Sequence, residues 1–201
     1  MDLGIGGRLA VVVGTGTAAG AACAGALAAE GADVVRVEDH ACAPETGAHR
    51  LEAIDILVVA AAPCAEVAVA SIDTAVLNVG WERVVAMSAW FRAALPAMKR
   101  RGRGRLIYVG TGAAREIDGR QAHVQRAVDL GALGLMKALS GEIGPAGVTC
   151  NSVLWRDDLP DRQAEFIAGV AAAVAYLASD NAAYLTGDTL TVDGATGAAV
   201  F

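Results

Sequence analysis

The sequence predicts an α/β fold, a doubly wound parallel sheet of about six strands, and three observations carry that prediction. Short β-rich runs alternate with helical ones along the chain. The runs are apolar enough to be buried on both faces, and a glycine-rich turn joins the first of them to the first helix. Strands covered on both sides read as near-continuous Val/Ile/Leu runs, which is the signature of a parallel sheet sandwiched by helices. A length of 201 residues suits one domain, 1–201, and neither repeat nor linker divides it.

Taken in order, "RLAVVV" (8–13) is a buried strand and "TAAGAACAGALAAEG" (17–31) a helix ended by Gly31. "ADVVRV" (32–37) and "IDILVVA" (54–60) are the second and third strands. "GWERVVAMSAWFRAALPAMKRR" (80–101) sets Trp81, Val84, Val85, Ser88, Phe91, Leu95 and Met98 at helical spacing. A strand follows at "RLIYVG" (105–110), then a helix at "HVQRAVDLGALGLMKALSGE" (123–142) and a strand at "VTCNSVL" (148–154). A helix over 162–179 and a strand over 188–194 finish the chain. The 123–142 helix is apolar nearly all round, yet it opens with Gln125 and Asp129, four apart and therefore on one face. The pair is a working one, the remnant of one, or a solvated end.

Hydrophobic residues make up 55% of the chain and aromatics only 4%, so the excess is Ala, Val and Leu, suited to close helix–sheet contacts. A net charge of −6 argues against a nucleic-acid surface. The basic run "KRRGRGR" (99–105) is a solvated turn at a helix C-terminus, where cations complement the dipole. The uncharged run between Arg8 and Glu30 is long enough to span a membrane, but "GTGTAAG" breaks it, and "MDLGIGGR" is no signal peptide. The expectation is a cytoplasmic protein without a membrane segment. Cysteines 23, 42, 64 and 150 lack metal-type spacing and read as reduced thiols, and "EDHAC" reads as a loop.

The glycine turn "VGTGTAAG" stands where a dinucleotide fingerprint stands, after a strand and opening a helix, and Glu38 ends the second strand where an acid would hold a ribose. With "IDILV", "GWERVVAMS", "ALPAMKRRGRGRLIYV", "GLMKALSGEIGPAGVTCNSV" and "AVAYLASDNAAYLTGDTLTVDGA" in this order, nearly the whole chain resembles the short-chain dehydrogenase/reductase (SDR) family. That resemblance implies a Rossmann-like sheet, an NAD(P) cofactor and hydride transfer to or from a carbonyl carbon. It also implies a cofactor set on Gly14, Gly16, Gly20 and Glu38, in vestigial form.

The family's functional positions are altered. Its TGxxxGxG motif falls on 13–20, where Gly14 and Gly20 match but Val13 replaces Thr and Ala18 replaces the middle Gly. Its NNAG stretch falls on Val59-Ala60-Ala61-Ala62, its structural Asn near Ser88, and its catalytic Ser on Gly110 or Thr111. Its YxxxK pair falls on Gln125 and Asp129. Gln125 has no proton to deliver near neutral pH, and a carboxylate at 129 raises a neighbouring acid's pKa where a Lys would lower it. Losing the general acid costs on the order of 10²–10⁴ in rate. Two shortenings match: only about fifteen residues separate Glu38 from "IDILV", and "RDDLPDRQ" replaces the lid after "NSVLW". The first should leave "ADVVRV" as the sheet edge, with Glu38 and Asp39 discouraging edge pairing.

The 80–98 and 124–140 helices keep almost no polar face, although covering a sheet needs only one apolar stripe. In the family the corresponding helices form a four-helix bundle between subunits. Trp81, Trp90 and Phe91 read as packing residues. The expected function is a non-catalytic subunit binding no cofactor productively and pairing with an active SDR chain, or with itself, through these helices. Two alternatives stand beside it: an enzyme of changed chemistry (a lyase, isomerase or cyclase using His123, Asp129 or Glu38, or a weakened NAD(P)-dependent oxidoreductase) and a nucleotide-sensing module.

Overall fold

The computed structural model describes residues 2–39, 44, 51–114 and 121–195. Cys42, the "EDHAC" stretch from His40 onward and the C-terminal "GATGAAVF" beyond Ala195 lie outside the described residues. Strands β1 (Leu9–Val13), β2 (Asp33–Val37), β3 (Ile56–Ala60), β4 (Gly104–Thr111), β5 (Val148–Trp155) and β6 (Thr189–Val192) alternate with α1 (Ala18–Ala29), α2 (Thr74–Arg101), α3 (His123–Ile143) and α4 (Gln163–Ala178). All strand pairs are parallel, in the order β2-β1-β3-β4-β5-β6. This is the expected six-strand sheet, with β2 at one edge.

β1, β3, β4 and β5 are buried along their whole lengths because helices cover both faces. On one face α2 and α3 pack Trp90, Phe91, Met98, Val128 and Met136 against Val11, Leu57 and Leu106. On the other, α1 and α4 pack Leu27, Phe166 and Val174 against Val12, Val58 and Ile107. Adjacent strand residues therefore serve opposite cores, as period-two geometry requires.

α2 begins six residues before the expected start. Asp73 caps it, its Oδ1 accepting from Val76 N at 2.9 Å, and the apolar run after it extends the inward stripe. The basic run is spent within the chain: Lys99 meets Glu142 at 2.8 Å, Arg103 meets Asp55 at 3.0 Å, and Arg101 donates to the Glu52 and Ile54 carbonyls. Trp90 and Phe91 are core residues, but Trp81 is only partly so, at 50% exposure. Cys23, Cys64 and Cys150 are free thiols, and burial pushes those of Cys23 and Cys150 up to about 12. Among the described residues no helix is long and apolar enough to cross a membrane, and no His/Cys/Asp/Glu cluster could hold a metal.

Candidate functional site

The chain runs from β1 out to β2 and returns on the other side of β1 as β3, so the strand order reverses between β1 and β3. In open α/β sheets the crevice at the carboxyl ends of such strands is where ligands bind. Here a cavity of about 390 Å³ opens there, bounded by Thr17 and Ala18, by Ala61 and Pro63, by Thr111 and by Asp157.

The glycine turn forms one wall. Gly14 has φ +88°, and a Cβ on it would overlap the Ala60 carbonyl oxygen, so only glycine fits between β1 and β3. The backbone N–H groups of Gly14 and Thr15 both donate to Val37 O, and that of Gly16 donates to Glu38 O. Thr17 caps α1, its hydroxyl accepting from Gly20 N at 3.0 Å. Glu38 is exposed just past β2. The first donors of the turn thus tie it to the end of β2. Asp157 lines the cavity, and among the described residues no Lys or Arg does. Among the described lining residues, a dinucleotide's pyrophosphate would meet the Thr17–Ala19 end of α1 and no cation.

Gln125 and Asp129 lie on the inward face of α3, with Val124, Val128 and Ala132 beside them. The solvated-end reading is wrong: Asp129 is 0% exposed and Gln125 4%. Asp129 Oδ1 accepts from the Tyr108 hydroxyl at 2.6 Å. Its Oδ2 accepts from Gln125 Nε2 at 2.9 Å, from the Thr111 hydroxyl at 2.8 Å and from Thr111 N at 3.3 Å. Gln125 Oε1 accepts in turn from Cys64 N at 2.6 Å.

Burial pushes the Asp129 carboxyl above the usual carboxylate range, against the opposing effect of its four donors. Burial, and then the Asp129 charge and hydrogen bond, push the Tyr108 phenol well above its ordinary value. Burial also raises the Cys64 thiol, against the pull of the neighbouring Arg83 guanidinium. The arrangement satisfies a buried carboxylate. The Tyr108 proton points at Asp129.

Of the two candidates for the Ser position, Thr111 meets Asp129. Gly110 instead permits the approach, since a Cβ there would lie 2.7 Å from Asp129 Oδ1 and 2.6 Å from the Tyr108 ring. Ser88 does not reach the site: its hydroxyl donates to Val85 O at 2.7 Å, and it lines an outer groove with Phe91 and Leu95. From α2 it is Arg83 that reaches the site, donating to the Ala62 carbonyl and contacting Cys64 Sγ at 3.1 Å. Five residues, rather more than a helical turn, separate Ser88 from that position. His123 is exposed at the first residue of α3. Tyr108, Arg83 and Cys64 were not singled out from the sequence. A phenol inside an apolar strand and a guanidinium inside an apolar helix were the available signals, since buried polar groups require partners.

No family model matches the chain. It is 34% identical over 122 residues to the 3-oxoacyl-[acyl-carrier-protein] reductase FabG of Escherichia coli (strain K12), a match covering 51% of this chain and 50% of that protein. The chain thus spans about half the length of the curated reductases it matches. A solved structure described as a short chain dehydrogenase/reductase family protein superposes with a TM-score of 0.82 at 26% identity, covering 96% of this chain and 98% of that one. A 3-oxoacyl (acyl-carrier-protein) reductase from Agrobacterium tumefaciens C58, solved with NADP bound, superposes with a TM-score of 0.81. At 21% identity, with 96% and 95% of the two chains covered, that likeness speaks for the fold. The six-stranded architecture and the superpositions show that the chain shares the fold of these proteins, and over about half its length it is similar in sequence to 3-oxoacyl-[acyl-carrier-protein] reductases.

Proposed function

We propose that this chain is a non-catalytic subunit of the SDR fold, which binds no cofactor productively and acts by associating with a chain that carries the chemistry. The observation carrying this reading is the Gln125–Asp129 pair. Where the family has a tyrosine and a lysine, this chain has an amide and a carboxylate, buried and turned toward each other. Carbonyl reduction leaves an alkoxide that must be protonated, and among the described residues here the Tyr108 phenol, Thr111 hydroxyl and Gln125 amide all donate to Asp129 instead.

Association is supported by the outer faces of α2 and α3, where Leu77, Trp81, Val85 and Leu130 are each more than 40% exposed. Their clustering on two neighbouring helices exceeds the scattered apolar exposure of ordinary surfaces. The test is purification from the native source, followed by native mass spectrometry. The expected species contains this chain and a second SDR chain in fixed ratio. A monodisperse species without such a chain, or carbonyl reduction by the isolated protein, overturns the reading.

The cavity between the glycine turn and Pro63 favours one second reading, nucleotide binding without turnover. Titrating NADH and NADPH against the isolated chain separates the two. Saturable binding at micromolar concentrations would favour the sensing module, and the first reading expects none.

A further inference from the structure

Residues 61–68, between β3 and the segment leading to α2, cross the first turn of α3 without helix or strand structure of their own. Ala61 and Pro63 of this segment form one wall of the switch-point cavity. The wall is held from behind at separate points. Ala61 N donates to Val109 O at 2.9 Å, the Ala62 carbonyl accepts from Arg83, Cys64 N donates to Gln125 Oε1 at 2.6 Å, and Val67 N donates to Gln121 O at 3.1 Å. Two of these four ties are made by side chains, and one of those is the residue standing where a catalytic tyrosine is expected.

We infer that Gln125 is a pin: its amide ties the 61–68 segment to the buried Asp129 carboxylate and so holds one wall of the cavity in place. A primary amide suits this task, because it accepts from a backbone N–H through its oxygen while donating to a carboxylate through its nitrogen. Asp129 is anchored in turn by Tyr108 and Thr111 on β4, so the pin connects the segment to the rigid centre of the sheet. Gln125 lies behind the wall, and its loss acts on the cavity through Cys64 and Pro63. Arg83 is a second and independent pin, since it holds Ala62 without contacting Asp129. The inference goes beyond the proposed function and stands or falls separately from it, because its readout involves neither a partner nor turnover.

Hydrogen exchange and Cys64 alkylation, followed by mass spectrometry on the full chain, test it. Gln125→Met should speed exchange of the Cys64 amide at least tenfold and raise the alkylation rate of Cys64, while α4 keeps its protection. Gln125→Asn, which keeps the amide but shortens its reach, should loosen the same segment and decides the matter if the first variant does not fold. Thr111→Val removes a donor to Asp129 but no tie to the segment, and should leave exchange over 62–67 unchanged relative to α4. The inference is overturned if Gln125→Met, or Gln125→Asn where the first variant does not fold, leaves the segment as protected as before. It is equally overturned if the segment and α4 loosen together, or if Thr111→Val loosens the segment as much as Gln125→Met.

Discussion

Four donors converge on the carboxylate of Asp129. Replacing Asp129 by Asn would put an NH2 where an acceptor is needed and leave at least one buried donor without a partner. The expected cost is about 1–3 kcal/mol, read as a lower urea midpoint with an unchanged slope. Gly110→Ala acts on the same network by sterics, since the new methyl would press on both Tyr108 and Asp129. Overpacking a closed site of this kind costs about 1–3 kcal/mol. Should Gly110→Ala prove as stable as wild type in the same urea titration, the close approach of β4 to α3 is not needed for the network.

At the scale of elements, α2 and α3 carry two jobs on two faces. The inner faces hold Trp90, Met98, Val128 and Met136 in the core, and the outer faces expose Val85 at 57% and Leu130 at 42%. Val85→Asp therefore belongs to the second job alone. It should change folding stability by no more than about 0.5 kcal/mol, as exposed substitutions do. Sedimentation velocity should show loss of the associated species, and an unchanged distribution would detach the outer face from assembly.

The same two helices show what was legible in the sequence. Periodicity placed α3 and set Gln125 and Asp129 on one face, because a 3.6-residue repeat fixes which residues share a face. In a helix apolar nearly all round it did not say that this face is the inward one. The start of α2 was missed because it is set by one side-chain cap at Asp73, a local signal inside an apolar run. Ser88 was misplaced for a related reason: an error of one helical turn and a half keeps a residue on the helix but turns it away from the site. The ties from Tyr108, Arg83 and Cys64 join residues 21, 21 and 61 positions from their partners, and no spacing rule reaches that far.

Across the whole molecule, two carboxylates at opposite ends of the sheet make stability respond to acid in opposite directions. At the amino ends of the strands, Asp180 is ion-paired with Arg8 at 2.5 Å and lies 3.6 Å from the buried Arg105 guanidinium. The Arg8 hydrogen bond holds its carboxyl below the usual range. A depressed folded pKa means that its stabilisation is present above the unfolded value, about 4, and is lost as pH falls through the folded value. Asp129 has the reverse sign, because burial raises its folded pKa. Its added stability is complete below about pH 4 and is lost as pH rises through the raised folded value. Urea unfolding of wild type, Asp180→Asn and Asp129→Asn between the two extremes separates the contributions. On acidification the advantage of wild type over Asp180→Asn should shrink, while its standing relative to Asp129→Asn should improve. If both differences move the same way, either the burial of Asp129 does not govern its ionisation or the Arg8 pairing does not govern that of Asp180. If both shrink on acidification it is the former, and if both grow it is the latter.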